Sequence, residues 1–134
     1  MIVPMAELNT AKKEKEFKDK SLLIVDDDNP FRERLARAMG KKGFLVTQAE
    51  GVKKGIESLK TMEPSFAVVD LRLKDGNGLE VVKEIQKLNK NSRIIMLTGY
   101  GNIPTAVAAI KEGAIDYIAK PADADDVEKA LLAD

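Results

Sequence analysis

The stretch Phe66-Ala67-Val68-Val69-Asp70 constrains the fold more than any other, because it is an apolar run that stops on a carboxylate and leads into the turn residues Asp75-Gly76-Asn77-Gly78. A run of this length, rich in valine and closed by turn residues, reads as a fully buried strand of a parallel sheet. Asp70 then stands where the strand leaves the sheet. In open parallel sheets chemistry gathers in the crevice at the carboxyl ends of the strands, so a charge there is better placed for function than for packing.

Four further apolar runs, at 22–25, 44–46, 94–97 and 115–119, read as strands of the same kind. Between them apolar residues recur at helical spacing: Phe31, Leu35, Ala38 and Met39; Val52, Ile56 and Leu59; Leu79, Val82, Ile85 and Leu88; Ile103, Val107 and Ile110; and Val127, Ala130 and Leu131. Five strands alternating with five helices require right-handed crossovers and a parallel sheet covered on both faces. The chain therefore reads as a doubly wound α/β domain.

Punctuation agrees. Gly43 and Gly113 fall just past helical patterns, where a left-handed cap is wanted, and Pro64 breaks the chain before the third strand. Asn102 is the expected N-cap of the fourth helix, with Pro104 tolerated in its first turn. The last helix is expected to begin near Asp123 and to run about three turns. Such an abrupt ending reads as a cut in a longer chain.

Composition narrows the chemistry. The 134 residues suit one domain that buries a core without staples, and they include no cysteine and no histidine. Disulfides, thiolate redox chemistry and imidazole bases are excluded, and any metal must be held by oxygen. With 22 basic and 22 acidic residues and 4% aromatic content, the chain lacks the basic face that direct DNA binding draws on. No stretch reaches the roughly 20 apolar residues of a membrane span, and the first residues lack a signal peptide's apolar core. A soluble cytoplasmic protein is expected. Residues 1–20 are rich in mixed charge and bury too little to offset their ordering entropy, so they read as a flexible arm ahead of a domain over 21–134.

Polar residues close the strands in a way that suits one purpose. The first ends Val25-Asp26-Asp27-Asp28, the third ends at Asp70, the fourth ends Leu97-Thr98-Gly99, and Lys120-Pro121 follows the fifth. Carboxylates gathered at neighbouring tips repel one another until a cation resolves the repulsion. Oxygen donors alone favour a hard ion such as Mg²⁺. A carboxylate beside such an ion can accept a phosphoryl group as a mixed anhydride, with the Lys120 ammonium and the Thr98 hydroxyl as donors to its oxygens.

These residues, in this order and on these elements, resemble the receiver domain of two-component response regulators over residues 21 to about 132. The stretches Val68-Val69-Asp70-Leu71-Arg72-Leu73-Lys74-Asp75-Gly76-Asn77-Gly78-Leu79-Glu80, Thr98-Gly99-Tyr100-Gly101-Asn102-Ile103 and Ala119-Lys120-Pro121-Ala122-Asp123-Ala124-Asp125-Asp126-Val127 are most similar to the alphaproteobacterial redox-response regulators of RegA/PrrA/ActR type. The resemblance implies a flavodoxin-like five-stranded sheet in the order 2-1-3-4-5 with five helices. It implies that Asp70 is the phosphoacceptor, fed by a sensor histidine kinase and promoting its own phosphorylation and dephosphorylation. Asp27, Asp70 and the backbone carbonyl of Arg72 would hold Mg²⁺, with Asp26 acting through a metal-bound water. Thr98 and Lys120 would bind the phosphoryl oxygens, the Lys120-Pro121 bond would be cis, and Thr98 and Tyr117 would form the switch. The fourth helix, fifth strand and fifth helix would then control a homodimer or an output domain in transcription regulation. DNA would be reached only through a C-terminal helix-turn-helix outside this sequence.

Two positions depart from the family pattern. Lys74 stands where most receivers have proline, and Pro104 occupies the start of a helix that usually moves. Two other readings stay open. Asp26-Asp27-Asp28 contains the Asp-x-Asp of haloacid dehalogenase-type phosphatases, although Pro30 takes the place of their Thr or Val. The chain could also be a binding module that works without phosphorylation. Asp28 is expected simply to cap the first helix, and Asp75-Gly76-Asn77-Gly78 to form a turn into the third.

Overall fold

The computed structural model describes residues 19–99 and 103–133. Five strands, β1 (Ser21–Val25), β2 (Leu45–Ala49), β3 (Phe66–Asp70), β4 (Arg93–Thr98) and β5 (Asp116–Ala119), form one sheet in the order β2-β1-β3-β4-β5. Every ladder in it is parallel. The helices are α1 (Asn29–Lys41), α2 (Val52–Ser58), α3 (Gly78–Leu88), α4 (Ile103–Lys111) and α5 (Ala124–Leu132). This is the doubly wound architecture with a flavodoxin-like strand order.

Side-chain parity explains why both faces need helices. Leu22 and Ile24 of β1, Phe66 and Val68 of β3, and Ile95 and Leu97 of β4 join α1 and α5 in one core. Leu23 and Val25, Ala67 and Val69, and Ile94 and Met96 join α2, α3 and α4 in the other. Successive strand residues point to opposite faces, so an unbroken apolar run is the signature of a strand covered twice.

Caps and turns lie where the sequence asks for them. Asp28 accepts from Phe31 N at 3.1 Å at the start of α1, and Asp123 accepts from Asp126 N at 2.8 Å at the start of α5. Gly43 and Gly113 adopt φ of 98° and 120°, the left-handed region that favours glycine. The Lys120-Pro121 bond is cis. Asn102 and residues 1–18 lie outside the described residues. Asp19 and Lys20, at the end of the expected arm, are engaged: Asp19 accepts from Ser21 N and from Ser65 Oγ, and the Lys20 ammonium lies 4.9 Å from the Phe44 ring centroid.

Three expectations about which side chains are buried need correction. Leu45 is 73% exposed because β2 is an edge strand. In α3 the buried residues are Gly78, Val81, Val82 and Ile85, and Leu88, expected on that face, is 47% exposed. In α4 the expected face is turned over: Ala106 and Ala109 are fully buried, whereas Val107 and Ile110 are 43% and 39% exposed. A helix seated on alanines approaches its neighbours closely, and its larger apolar side chains are left facing outward.

Candidate functional site

The carboxyl ends of β1 and β3 lie side by side, with Val25 paired to Val69, so Asp26 and Asp70 leave adjacent strands at one level. Asp26 continues the parity of Leu22 and Ile24, and Asp70 that of Phe66 and Val68. One carboxylate oxygen from each of Asp26, Asp27 and Asp70 lies within 4.8 Å of the other two. Asp26 is fully buried, Asp70 is 6% exposed, and Asp27 is half-exposed at the mouth.

Lys120 enters from the end of β5, where its amide donates to Thr98 O at 2.8 Å. The ammonium stands 2.8 Å from Asp26 Oδ2 and 3.3 Å from Asp70 Oδ2, and it lies 4.7 Å from the centroid of the Phe31 ring. Asp26 Oδ2 is fully buried and has this ion pair in place of an ordinary hydrogen bond. One cation facing three carboxylates leaves the cluster short of positive charge.

Burial and charge together set the titration of the site. Burial, then the charge of Asp26, pushes the Asp70 carboxyl up to about 6, against the opposing pull of Lys120. Burial acts to lower the Lys120 pKa, but the Asp26 and Asp70 carboxylates outweigh it and the value is raised. A hard cation fits these residues: the donors are all oxygens, one of them buried without a hydrogen-bond donor, and the net charge is negative.

The remaining expected residues gather less tightly. Thr98 is fully buried at the end of β4, one residue past Leu97, the partner of Asp70, and its hydroxyl donates to Gly99 O at 3.1 Å. Arg72 is exposed, and its amide lies 3.4 Å from Asp70 Oδ1. Tyr117 is half-buried against the core beneath α2, α3 and α4. The Asp28 carboxylate caps α1 and does not join the cluster, which removes the second aspartate that a dehalogenase-type nucleophile site needs.

Arg32 was not foreseen. It is only 9% exposed, and its guanidinium donates to Asp26 O at 2.9 Å, to Asn29 Oδ1 at 2.6 Å and to Gln48 Oε1 at 3.0 Å. These bonds hold the turn that presents Asp26 and Asp27. The spacing Arg32, Leu35, Ala36, Met39 is the true buried stripe of α1 and carries the signal, masked by an arginine's usual preference for water.

Residues 22–132 match the family model described as response regulator receiver domain. The chain is 60% identical over 114 residues to the acid tolerance regulatory protein ActR of Rhizobium meliloti, a match covering 85% of this chain and 59% of that protein. It is 57% identical over 115 residues to the photosynthetic apparatus regulatory protein RegA of Rhodobacter capsulatus, covering 86% and 62% respectively. The chain thus spans about three fifths of the length of these relatives. Among solved structures, a response regulator protein from Burkholderia pseudomallei with a phosphorylated aspartic acid, a calcium ion and citrate superposes with a TM-score of 0.80 at 36% identity, covering 86% of this chain and 68% of that one. The receiver domain of NtrX from Brucella abortus superposes with a TM-score of 0.74 at 31% identity, covering 84% and 99%.

Proposed function

Because the chain belongs to the response regulator receiver domains of two-component signalling, we propose that it accepts a phosphoryl group on Asp70 from a phosphohistidine of a sensor histidine kinase, in the cytoplasm. The observation that carries the assignment is the Lys120 ammonium set between Asp26 and Asp70 in a rim of three converging carboxylates.

In this reading a carboxylate oxygen of Asp70 bonds to phosphorus as the phosphorus–nitrogen bond of the donor breaks. The electron pair leaves with the imidazole of the kinase. Asp26, Asp27, Asp70 and the carbonyl of Arg72 would hold Mg²⁺, which would supply positive charge to the phosphoryl oxygens. Lys120, already 3.3 Å from Asp70 Oδ2, is placed to donate to those oxygens as the acyl phosphate forms. The same groups serve hydrolysis of the acyl phosphate by water, which returns the free carboxylate.

Among the described residues the Thr98 hydroxyl donates to the neighbouring Gly99 carbonyl, a bond readily exchanged for one to a charged phosphoryl oxygen. That exchange would draw Thr98 toward Asp70 and let Tyr117 turn further inward. Val107 and Ile110, exposed on α4, give the surface formed by α4, β5 and α5 the apolar character that a homodimer or an output domain could read. Control of transcription, through a DNA-binding segment beyond this sequence, is the outcome proposed for the whole protein.

Asp70→Asn should abolish covalent uptake of phosphoryl from acetyl phosphate, measured by intact mass, and leave the circular dichroism spectrum unchanged. Uptake that survives in Asp70→Asn would overturn the assignment.

A further inference from the structure

The loop after Asp70 is closed on itself. Gly78 N donates to Leu71 O at 2.8 Å, Arg72 and Leu73 pair with Asn77 and Gly76, and the Asn77 side chain accepts from Leu79 N at 2.9 Å. Its base is fixed by contact: a Cβ on Gly78 would stand 2.2 Å from Asp70 O, so the backbone of α3 lies directly against the acceptor residue.

At the tip, Asp75 reaches out of the hairpin to another element. Its Oδ1 accepts from Val52 N at 2.8 Å and its Oδ2 from Lys53 N at 3.0 Å, the first two amides of α2. The residue at the N-cap of α2 is Gly51, which has no side chain to do this. Its backbone, at φ −172°, is extended and open to any residue, but a Cβ there would stand 2.6 Å from Asp75 Oδ1. Space for the Asp75 carboxylate is what calls for glycine. The two amides also hold the Asp75 carboxyl below the usual carboxylate range. Asp75 shares a cleft of about 390 Å³ with Asp27, alongside Gly51, Lys53, Lys54 and Lys74.

We propose that Asp75 is a positioning residue of the acceptor centre: by binding the first two amides of α2 it fixes the loop that carries Arg72 past Asp70. An ordinary helix cap acts on its own helix. Here the capping carboxylate belongs to the segment that follows the acceptor, so the same two bonds place both. Of the hairpin residues only Leu71 and Leu73 are buried, and residues 74–77 are exposed, so the tip has little apolar packing to hold it. The inference rests on the Asp70 reading above.

The test compares Asp75→Ala, Gly51→Ala and the double variant with the unaltered chain. The readouts are Mg²⁺ affinity by calorimetry, the rate of phosphoryl uptake from acetyl phosphate, and hydrogen exchange of the Val52 and Lys53 amides. Asp75→Ala should weaken Mg²⁺ binding about tenfold, as loss of groups that orient ligands commonly does, and it should slow uptake. Gly51→Ala should do the same by displacing the carboxylate, and it keeps the proposal open to test even where Asp75→Ala perturbs folding. The double variant should be no worse than either single one. Asp75→Asn, which keeps an acceptor oxygen, should recover part of the loss. The proposal is overturned when exchange at Val52 and Lys53 quickens while Mg²⁺ affinity and uptake stay unchanged, or when the two single losses add. An unaltered chain that neither binds Mg²⁺ nor takes up phosphoryl overturns the Asp70 reading instead.

Discussion

Helices α3 and α4 cover the same face of the sheet in opposite ways. α3 buries Val81, Val82 and Ile85 completely, and each such side chain contributes up to about 1.5–3 kcal/mol. α4 buries Ala106 and Ala109 and turns Val107 and Ile110 outward. A Gln86 side chain of α3 reaches across to donate to Gly113 O at 3.2 Å, just past the end of α4. One helix is fastened by large side chains, the other rests on small ones. The second kind of fastening suits the shape change proposed above for α4, because elements that move are drawn from the less stable end of a structure.

The comparison can be broken most directly at Ile85. Ile85→Ala should cost about 2–5 kcal/mol by chemical denaturation, and a loss below about 1 kcal/mol would put the two helices on an equal footing. Asp70, at the end of β3 on the side of the sheet covered by α1 and α5, gives a test independent of that packing. Its folded pKa of about 6 lies above the ordinary 3.8, so the folded chain binds more protons than the unfolded one between these values. Stability contributed by the protonated group is present below 3.8 and lost as pH rises through 6. Without divalent cations, Asp70→Asn should therefore raise stability at pH 7 by up to about 3 kcal/mol, with the gain vanishing on acidification. Absence of that gain would mean that the buried Asp70 carboxylate does not destabilise the fold.

On α4 the effects should be smaller. Ala109→Val should cost about 1–3 kcal/mol through overpacking at a close contact, read as a lowered denaturation midpoint. Ile110→Ser should change stability by less than about 0.5 kcal/mol. A large loss there would show that Ile110 supports the fold after all, and α4 would no longer differ from α3.

What could be read from sequence follows the strength of the local signal. The strands announce themselves because parity fills both sides of β1, β3 and β4 with apolar residues, and the site because Asp26, Asp27, Asp70 and Lys120 stand at their ends. On α4 hydrophobic periodicity favours the larger residues Val107 and Ile110, whereas the alanine-rich stretch 106–109, which also reads as permitting close packing, supplies the buried face. Leu88 failed for a related reason: it is the last residue of α3, where the buried stripe has already ended at Ile85. Asp75 was missed because its partners, Val52 and Lys53, lie elsewhere in the chain, and Arg32 because an arginine in the buried stripe of a helix runs against its usual preference for water. A turn residue read locally as a turn residue gives no sign of the distant amides it will bind.

The alternating allegiance of β3 has a consequence for how such a chain can vary. Deleting one codon between Phe66 and Val69 would not merely shorten the strand. It would swap the faces of β3 residues on one side of the deletion and set the Asp70 carboxylate, the proposed acceptor, out of step with Asp26 and Lys120. Length changes can therefore be absorbed between the elements but not inside this one, where the reading frame of the sheet and the address of the chemistry are the same quantity.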